Sequence, residues 1–362
     1  MTLAFVVNSG SSSIKWELVD VESAEKLKGG LVERVTDHES AMLGVLEELG
    51  DVHPAVIGHR VVHGGSVFTA ATLVTDEVEA AIDELSALAP LHNPANLAGI
   101  RAARAAFPGV PNVAVFDTAF HQTLAPEAYT YAIDAGVARE NGVRRYGFHG
   151  TSYQYVAKAS AELLGRADAK LVVFHLGNGA SVAAIDAGRS VETSMGMTPL
   201  EGLVMGTRSG DLDAGILFHL GRAGSTLDEL DTLLNRRSGL LGLAGSGDMR
   251  DVQGKAADGD AEAQLALDVY HHRLRHYLGA YIALLGGAHA IVFTAGVGEN
   301  SSATRAAVVR GMGWLGIELD ESLNAAPSKD ARVVSSGASR VSVLVVPTNE
   351  ELEIARQSVA LL

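Results

Sequence analysis

Short runs of hydrophobic residues near the start of the chain predict a β-hairpin. Residues 3–20 form an apolar strand, a turn rich in Asn, Gly and Ser, and a second strand in which Ile14, Trp16 and Leu18 fall on one face. Residues 171–187 repeat this plan around a Gly-Asn-Gly turn. Two strand-turn-strand units half a chain apart predict a duplicated domain whose turns present backbone N–H groups inward.

The rest of the chain mixes strand and helix patterns in both halves. The spacing predicts strands at 55–63, 113–116, 290–294 and 341–346, and helices from 76, at 96–107, at 260–285, from 300 and from 348. The last helix begins with a capping-box pattern, Thr348 followed by Glu351. Such a mixture indicates an α/β fold.

Length and charge narrow the class of protein. A chain of 362 residues exceeds the ~250–300 at which one hydrophobic core stops growing, so we expect two domains with a cleft between them. Its 28 Lys and Arg against 43 Asp and Glu give a net charge of −15, which argues against a nucleic-acid or anionic membrane surface. The absence of cysteine excludes disulfides, thiolate zinc sites and cysteine nucleophiles. We expect a cytoplasmic enzyme.

One segment, residues 277–298, lacks charged residues and is long enough to span a bilayer. Gly286 and Gly287 divide it into a helix end and a β-type run, so we expect it to belong to the folded interior. In the preceding helix, His272 and His276 lie one turn apart and could bind a metal. With no third ligand nearby in sequence, a surface or subunit-interface role fits them better.

Two glycine-rich turns are candidates for phosphate or nucleotide binding, because the chain has no P-loop and no nucleophile-elbow pattern. The turn NSGSSSIK, from Asn8 to Lys15, is rich in small hydrogen-bond donors, and Lys15 adds positive charge. The segment FTAGVGENS, residues 293–301, predicts a strand, a glycine turn and a helix start that suit a nucleotide. An ordinary turn is the alternative at both places.

A cationic residue and an apolar residue share one face of a predicted strand. In HRVVHGG, strand periodicity places Arg60 and Val62 on the same side, which suits a small carboxylate with a short alkyl group. An edge-strand arginine in a surface ion pair is the alternative. Asp117, in FDTAFH, ends an apolar strand where α/β sites usually lie, although it could equally cap a helix.

Two polar loops follow. The loop RRYGFHGT, residues 144–151, contains His149 before a helix, and a structural histidine is the alternative. Residues 193–213 contain too many Gly, Thr and Ser for a packed helix, which predicts a loop close to a ligand, with Arg208 between Gly206 and Gly210.

Taken in order, these motifs resemble the acetokinase family, within the actin/sugar-kinase/Hsp70 ATPase superfamily. The resemblance runs nearly end to end through NSGSSSIK, HRVVHGG, FDTAFH, RYGFHGTS, HLGNGAS, TSMGMTPLEGLVMGTRSGD, FTAGVGENS and VPTNEE. It implies an α/β, duplicated two-domain actin-like ATPase (ribonuclease H-like) fold with an interdomain cleft. The implied N-terminal domain is 1–118 plus 349–362, and the C-terminal domain, 119–348, binds nucleotide and forms a homodimer.

The resemblance also implies an ATP:acetate phosphotransferase that makes acetyl phosphate and ADP reversibly by direct in-line transfer, with Mg²⁺ or alternatively Mn²⁺. The implied catalytic residues are Arg60, Asp117, His149 and Arg208. An acyl pocket maps to Val62, Leu91, Phe148 and Pro199, with Arg60 on the carboxylate, and the metal maps to Asn8 and Glu350. The implied ATP contacts are Lys15, His175, Leu176, Gly177, Asn178, Gly179, Asp248, Met249, Arg250, Gly296, Val297, Gly298, Glu299 and Asn300.

Two features depart from the family pattern. Residues 30–39 join directly what the family usually separates by an extra segment, and Met249 stands where an aromatic residue is common. Because the acceptor is already a carboxylate, we expect Asp117 to orient an arginine or the hydrated metal rather than to act as a base. A propionate or butyrate kinase is the nearest alternative. An Hsp70-like or actin-like ATPase is the alternative from another class of protein. Such an ATPase would not need Arg60 and Val62 as a binding site for an acceptor carboxylate.

Overall fold

The computed structural model describes residues 1–10, 13–35, 37–50, 52–90 and 92–362. The chain divides into two compact units. Unit 1 comprises Met1–Gln122, Phe148–Tyr155 and Asn349–Leu362, and unit 2 comprises Thr123–Gly147 and Val156–Thr348. The segments 119–122 and 148–155 therefore pack with unit 1, whereas the domain boundaries implied by the resemblance placed them in the second domain.

Unit 1 is built on a six-stranded mixed sheet in the order β3-β2-β1-β4-β6-β5. The first three strands are antiparallel, β1, β4 and β6 are parallel, and β5 pairs antiparallel with β6. Ile14, Trp16 and Leu18 are buried in one core cluster, as their spacing predicts. The strands are β1 (Leu3–Ser9), β2 (Ser13–Asp20), β3 (Glu25–Glu33), β4 (Val56–Val61), β5 (Thr72–Leu73) and β6 (Asn112–Phe116).

Helices cover both faces of this sheet. Residues at alternate positions of β1 point to opposite faces, and they belong to two different core clusters. The helices are α1 (His38–Leu49), α2 (Asp76–Glu84), α3 (Asn93–Ala106) and the C-terminal α15 (Glu350–Val359), with 3₁₀ turns at Leu85–Ala87 and Ala119–Thr123. The predicted capping box is wrong. Asn349 is the N-cap of α15, and its side chain accepts a hydrogen bond from the N–H of Leu352.

Unit 2 contains a second six-stranded sheet in the order β11-β12-β10-β7-β8-β9. A β7-β8-β9 antiparallel meander joins the parallel strands β10 and β12 through β7, as β1-β2-β3 joins β4 and β6 in unit 1. The repeated topology confirms the α/β fold class and the duplication. The strands are β7 (Lys170–Leu176), β8 (Ala180–Asp186), β9 (Arg189–Thr193), β10 (Ala290–Thr294), β11 (Arg332–Val333) and β12 (Ser342–Val345).

The remaining helices belong to unit 2, apart from residues 150–155 at the start of α6, which belong to unit 1. They are α4 (Pro126–Tyr129), α5 (Ala135–Glu140), α6 (Gly150–Leu164), α7 (Gly215–Arg222), α8 (Leu227–Arg236), α9 (Gly239–Ala244), α10 (Met249–Ala257), α11 (Ala261–Leu284), α12 (Ala295–Asn300), α13 (Ser302–Val309) and α14 (Glu321–Ala325), with a 3₁₀ turn at Gly313–Leu315.

The uncharged segment 277–298 is divided as the sequence predicts. Helix α11 ends before Gly286 and Gly287, whose positive φ angles turn the chain into the buried strand β10. Among the described residues, no helix combines the length and apolar character needed to cross a bilayer.

Candidate active site

In unit 1, an arginine and an aspartate from neighbouring parallel strands form a buried bidentate ion pair. Arg60 lies in β4, and Asp117 directly follows β6. Arg60 Nη2 donates to Asp117 Oδ2 at 2.6 Å, and Nε lies 3.1 Å from both carboxylate oxygens. The Asp117 side chain is 1% exposed and that of Arg60 is 22% exposed. Asp117 therefore fixes the guanidinium plane while part of Arg60 stays accessible.

Two further oxygen-bearing side chains approach Arg60. Nη1 donates to Asn8 Oδ1 at 3.4 Å, and Glu350, the first residue of α15, lies 4.0 Å from Nε. Burial opposes the charge of Arg60, but the negative charges of Asp117 and Glu350 outweigh this and raise its pKa. Burial, together with the charge of Asp117, raises the pKa of Glu350 to about 7, although Arg60 acts in the opposite direction. This corner of unit 1 thus holds more negative charge than one arginine neutralises.

Asn8 and Glu350 supply the kind of donor that Mg²⁺ uses. Mg²⁺ prefers oxygen ligands, and in kinases it is usually held by one or two carboxylates, waters and the phosphates of the substrate. One amide oxygen and one carboxylate beside excess negative charge fit that pattern. They do not form an all-protein cage, and the described residues include no group of three or more His, Cys, Asp or Glu suited to a metal.

The predicted acyl-pocket residues of unit 1 lie close to the same strand ends. Val62 is buried just beyond the end of β4, and its N–H donates to Asn96 Oδ1 at 3.0 Å. The predicted strand 55–63 is therefore too long, and strand periodicity does not itself place Val62 beside Arg60. Phe148 is buried, and its ring meets the edge of His63. Leu91 lies outside the described residues.

His149 stands at a left-handed backbone position, with φ of 58°. Such a conformation is uncommon for a residue with a side chain and marks a position held by its surroundings. The next residue shows how: Gly150 donates to the carbonyl of Asp117 at 2.9 Å, and a Cβ there would lie 2.2 Å from that oxygen. The loop is thereby pressed against the Asp117 backbone.

Lys15, predicted to contact ATP, is half-exposed and forms an ion pair with Glu351. Burial lowers the pKa of its ammonium group, but the hydrogen bond and charge of Glu351 outweigh this and raise it. The nearby Glu17 carboxylate lies 3.7 Å away. The structure therefore places Lys15 on carboxylates of unit 1, and its contact with ATP stays a prediction.

Unit 2 contains a cavity of about 610 Å³, a size typical of small-molecule sites. Of the predicted ATP contacts, Gly177, Asn178, Asp248, Met249, Arg250, Gly296, Val297 and Asn300 line it. His175, Leu176, Gly179, Gly298 and Glu299 are not among the lining residues. Gly206 and Ser301, which also line the cavity, lie in segments that the sequence predicts to be near a ligand or nucleotide, whereas Leu240, Gly247, Gln253 and Tyr270 were missed.

Tyr270, one of the residues that line this cavity, carries a buried hydroxyl group that is unpaired among the described residues. The residue is 2% exposed, and within the described chain its hydroxyl has no hydrogen-bond partner. Burial raises the pKa of this phenol, so the group stays protonated at neutral pH. A buried, unpaired hydroxyl is costly unless a ligand or water satisfies it. It sits within an ordinary buried stripe of α11, which explains why no sequence signal singled it out.

The turn predicted at 295–300 is a short helix, α12, in spite of its glycines. Arg305, only 2% exposed, stabilises its C-terminal end: Nη1 donates to the carbonyls of Gly298 and Glu299, both at 2.9 Å. Burial lowers the pKa of Arg305 to about 10. A cation at a helix C-terminus compensates unpaired carbonyls, so a residue outside the motif keeps this helix in place.

Residues 194–213 lie in a loop, as predicted. Close packing, rather than a need for a flexible backbone, requires glycine at positions 206 and 210. A Cβ on Gly206 would lie 2.0 Å from Asn178 Oδ1, and one on Gly210, at φ +69°, would lie 2.3 Å from the carbonyl oxygen of Leu203. The segment around Arg208 is therefore tightly held.

Arg208 differs from Arg60 in its partners. Its Nη1 donates to the carbonyl of Pro199 at 2.6 Å, and no carboxylate of the described residues contributes to its electrostatics. Burial alone lowers its pKa, which still leaves the guanidinium charged. Unit 2 thus presents a partly buried cation without a counter-charge, beside Pro199.

The fold defines the broad class. A ROK family protein from Streptococcus pneumoniae, 12% identical, matches 98% of this chain and 97% of its own with a TM-score of 0.50, a likeness of fold alone. Two mixed sheets with repeated topology make this an actin-like ATPase fold of the kind shared by sugar kinases.

Closer relatives define the family. The acetokinase family model matches residues 44–356, and the chain belongs to the acetokinase family. An acetate kinase from Leifsonia xyli is 61% identical over 99% of this chain and 98% of its own. Solved structures of an acetate kinase from Porphyromonas gingivalis and a propionate kinase from Francisella tularensis are 39% and 37% identical, with TM-scores of 0.95 and 0.94. The first covers 99% of both chains and the second 100% of both.

Proposed function

We propose that this protein transfers the γ-phosphoryl group of ATP to acetate reversibly, giving acetyl phosphate and ADP. The observation that carries the proposal is the 61% identity to an acetate kinase over nearly the whole of both chains. In the reaction an acetate oxygen bonds to the γ-phosphorus, while the bond from that phosphorus to the β,γ-bridging oxygen breaks and ADP leaves with the electron pair.

The residues of unit 1 suit a mechanism in which the enzyme positions the acceptor and neutralises negative charge, without a general base. Acetate is already ionised at neutral pH, so no base is required, and Asp117 is fully engaged with Arg60. We therefore assign Asp117 to orienting Arg60, whose accessible part binds the acceptor carboxylate. We assign Val62, Leu91, Phe148 and Pro199 to the acyl group of the acceptor, and His149 to the equatorial oxygens of the phosphoryl group. These assignments rest on the family resemblance.

Arg208 is assigned to the transferring phosphoryl group. A guanidinium with no carboxylate partner in the described residues gains most from an incoming anion, and its planar fork can contact two oxygens. Charge that develops on the phosphoryl oxygens is stabilised best by a donor already held in place. The hydrogen bond from Arg208 to Pro199 supplies that fixed position.

We assign the nucleotide to the 610 Å³ cavity and the metal to Asn8 and Glu350. When bound, Mg²⁺ neutralises phosphate charge. Asn8 and Glu350 would hold it, directly or through water, and Arg60 keeps both side chains close to Asp117. We place the activity in the cytoplasm, where ATP is made and used.

Propionate as the preferred acceptor is the main alternative, favoured by the structural likeness to a propionate kinase. A hydroxamate assay with ATP, Mg²⁺ and acetate, propionate or butyrate distinguishes the acceptors, with ATP hydrolysis measured without acceptor. We expect acetate to give the highest kcat/KM. A higher kcat/KM for propionate or butyrate would mean that this acid, not acetate, is the preferred acceptor. ATP hydrolysis with no acyl hydroxamate would overturn the proposal in favour of an ATPase.

We also propose that the protein forms a homodimer through unit 2. Helix α7 has no buried residue, although its sequence is GILFHLGR. Ile216 and Phe218 on α7 are 43% and 66% exposed, and Leu227 at the start of α8 is 84% exposed. A helix that leaves its large apolar side chains exposed has not buried them within its own chain, and exposed apolar surface of this kind is a candidate interface. A second copy is the occupant implied by the family resemblance.

A further inference from the structure

Three side chains from separate parts of unit 2 meet beside the loop that carries Arg208. Tyr131 precedes α5, Arg145 precedes α6, and Glu201 lies in the loop itself. Arg145 Nη2 donates to Glu201 Oε1 at 2.6 Å, and the Tyr131 hydroxyl donates to Glu201 Oε2. Both carboxylate oxygens are thus engaged. We call Tyr131, Arg145 and Glu201 the loop clamp.

The same side chains also bind the loop backbone. Arg145 Nη1 donates to the carbonyls of Ser194 and Met195, at 3.2 and 3.0 Å. The N–H of Met197 donates to the Tyr131 hydroxyl at 3.2 Å. The clamp therefore fixes the loop at residues 194–197 and again at Glu201.

Gly196 shows how closely the loop is fitted to the clamp. A Cβ at this position would lie 1.9 Å from Glu201 Oε2 and 2.1 Å from the Tyr131 hydroxyl oxygen. Contacts this short cannot occur, so any side chain here would separate Tyr131 from Glu201. Glycine at 196 is thus required by the hydrogen bond between those two residues.

Pro199 lies between the two fixed points, and its carbonyl accepts the hydrogen bond from Arg208. Displacing residues 197–201 would move that carbonyl, and the guanidinium of Arg208 with it. Burial raises the pKa of Tyr131, which keeps its hydroxyl a donor across the neutral range. Loss of the Tyr131 proton therefore does not break the clamp at neutral pH.

We propose that Tyr131, Arg145 and Glu201 are positioning residues, which set the location of Pro199 and Arg208 and thereby the rate and acyl preference of the reaction. This inference rests on the proposed function. The three residues act through the loop backbone and through Arg208.

The first test is Tyr131→Phe, which removes the hydroxyl and keeps the ring. We expect kcat to fall about ten- to a hundredfold, because a displacement near 1 Å can cost about 10² in rate. The ratio of kcat/KM for acetate to that for propionate should change, and the Kd for ADP should stay as in the wild type. The matched control is Tyr129→Phe, since the Tyr129 ring packs on Arg144 and its hydroxyl has no hydrogen bond within the described residues. It should leave kcat and the acyl ratio unchanged.

The second test is a double-mutant cycle with Gly196→Ala. The methyl group that this substitution adds collides with the same hydrogen bond that Tyr131→Phe deletes, so the two losses in kcat should be much less than additive. Wild-type kcat and acyl ratio in Tyr131→Phe, or full additivity in the cycle, would overturn the clamp proposal. A wild-type enzyme inactive on every short-chain carboxylate would instead overturn the proposed function, so the two failures are distinguishable.

Discussion

At the scale of single residues, the two arginines assigned to the reaction are held in opposite ways. Arg60 is neutralised by Asp117, whereas Arg208 is held by a carbonyl and keeps its full charge. The counter-charge of each arginine decides how it can bind an anion. The guanidinium of Arg60 already shares part of its N–H donors with Asp117, whereas the positive charge of Arg208 is not balanced by a carboxylate of the described residues. The sequence predicts both arginines and suggests that Asp117 orients one of them or the hydrated metal. It does not show that Arg208 has a carbonyl rather than a carboxylate as its partner among the described residues, because that depends on how the loop folds.

The first prediction concerns replacement of either arginine by lysine. Arg60→Lys and Arg208→Lys should each lower kcat by ~10²–10³, the usual cost of losing one fixed electrostatic donor, since an ammonium cannot bridge two oxygens. Steady-state kinetics with acetate and ATP measure this loss. Arg189→Lys, at an exposed strand start, is the control and should behave as the wild type. A near-normal kcat would remove that arginine from the transition state.

The second prediction uses the unpaired hydroxyl of Tyr270. Tyr270→Phe should weaken ADP binding several-fold, because the lost hydrogen bond is worth about 0.5–1.5 kcal/mol. It should not lower stability, since the hydroxyl has no partner within the described protein. Calorimetric titration with ADP and a thermal melt on the same sample measure both. Unchanged ADP affinity would show that the hydroxyl faces no part of the nucleotide.

The third prediction is a pH dependence of stability centred on His59. This ring is 2% exposed and bonds Asn112 Oδ1 at 2.7 Å, and burial lowers its pKa to about 4. The unfolded chain, with a pKa near 6.5, binds the proton first, so the free energy of unfolding should fall as the pH drops from about 6.5 to about 4. The full shift corresponds to about 3 kcal/mol.

Urea unfolding at several pH values measures this dependence. The stability contribution is complete above pH 6.5, and His59→Gln should flatten the acid slope relative to the wild type. His53→Gln, at an exposed position, should leave the slope unchanged. Superimposable pH profiles for the wild type and His59→Gln would contradict the assignment.

At the scale of elements, the sequence predicts regular strands and long helices well and their ends less well. Both hairpins and β10 match their predicted positions, because short apolar runs bounded by turn residues mark buried strands locally. The N-cap of α15 does not match its predicted position. Thr348 and Asn349 are both good N-cap residues, and the choice between them depends on tertiary packing. Helix α12 depends on Arg305, which lies outside its own segment.

The fourth prediction concerns the packing of β4 against α15. A Cβ on Gly58 would lie 2.6 Å from Ser358 Oγ and 2.7 Å from Ile354 Cγ2. Gly58→Ala should therefore lower stability by about 1–3 kcal/mol through overpacking, measured by chemical denaturation. Gly44→Ala in α1, with open space around it, is the control and should be neutral or gain up to about 1 kcal/mol. Wild-type stability in Gly58→Ala would mean that α15 shifts at little cost.

At the scale of the whole molecule, the resemblance covers nearly the entire chain, yet the chain is shorter than its relatives. The alignment to the Leifsonia xyli acetate kinase spans 390 positions, so at least 28 of them have no counterpart among these 362 residues. The departure that the sequence shows at residues 30–39 is consistent with a trimmed first domain. Motif order is robust to such a deletion because the motifs lie in turns and strand ends rather than in the lost segment.

The fifth prediction tests the homodimer. Phe218→Asp and Leu227→Asp each replace an exposed apolar side chain of α7 or α8 with a charge, so each should shift the protein from dimer towards monomer. Light scattering coupled to size exclusion measures the mass. Leu43→Asp, at an exposed apolar residue of α1 in unit 1, is the control and should leave the mass unchanged. A monomeric wild type would contradict the proposal.

Strand β3 gives the molecule an outer sheet edge. It ends the strand order of unit 1, nearly all of its residues are exposed, and Leu27 and Leu31 are 41% and 58% exposed. An open edge can accept a strand from another copy and start aggregation, and interspersed lysines are a common defence. Lys26 and Lys28 supply them here, with Lys26 tied to Glu17 at 2.8 Å. The two lysines would therefore help to set how far this protein can be concentrated before its copies adhere edge to edge.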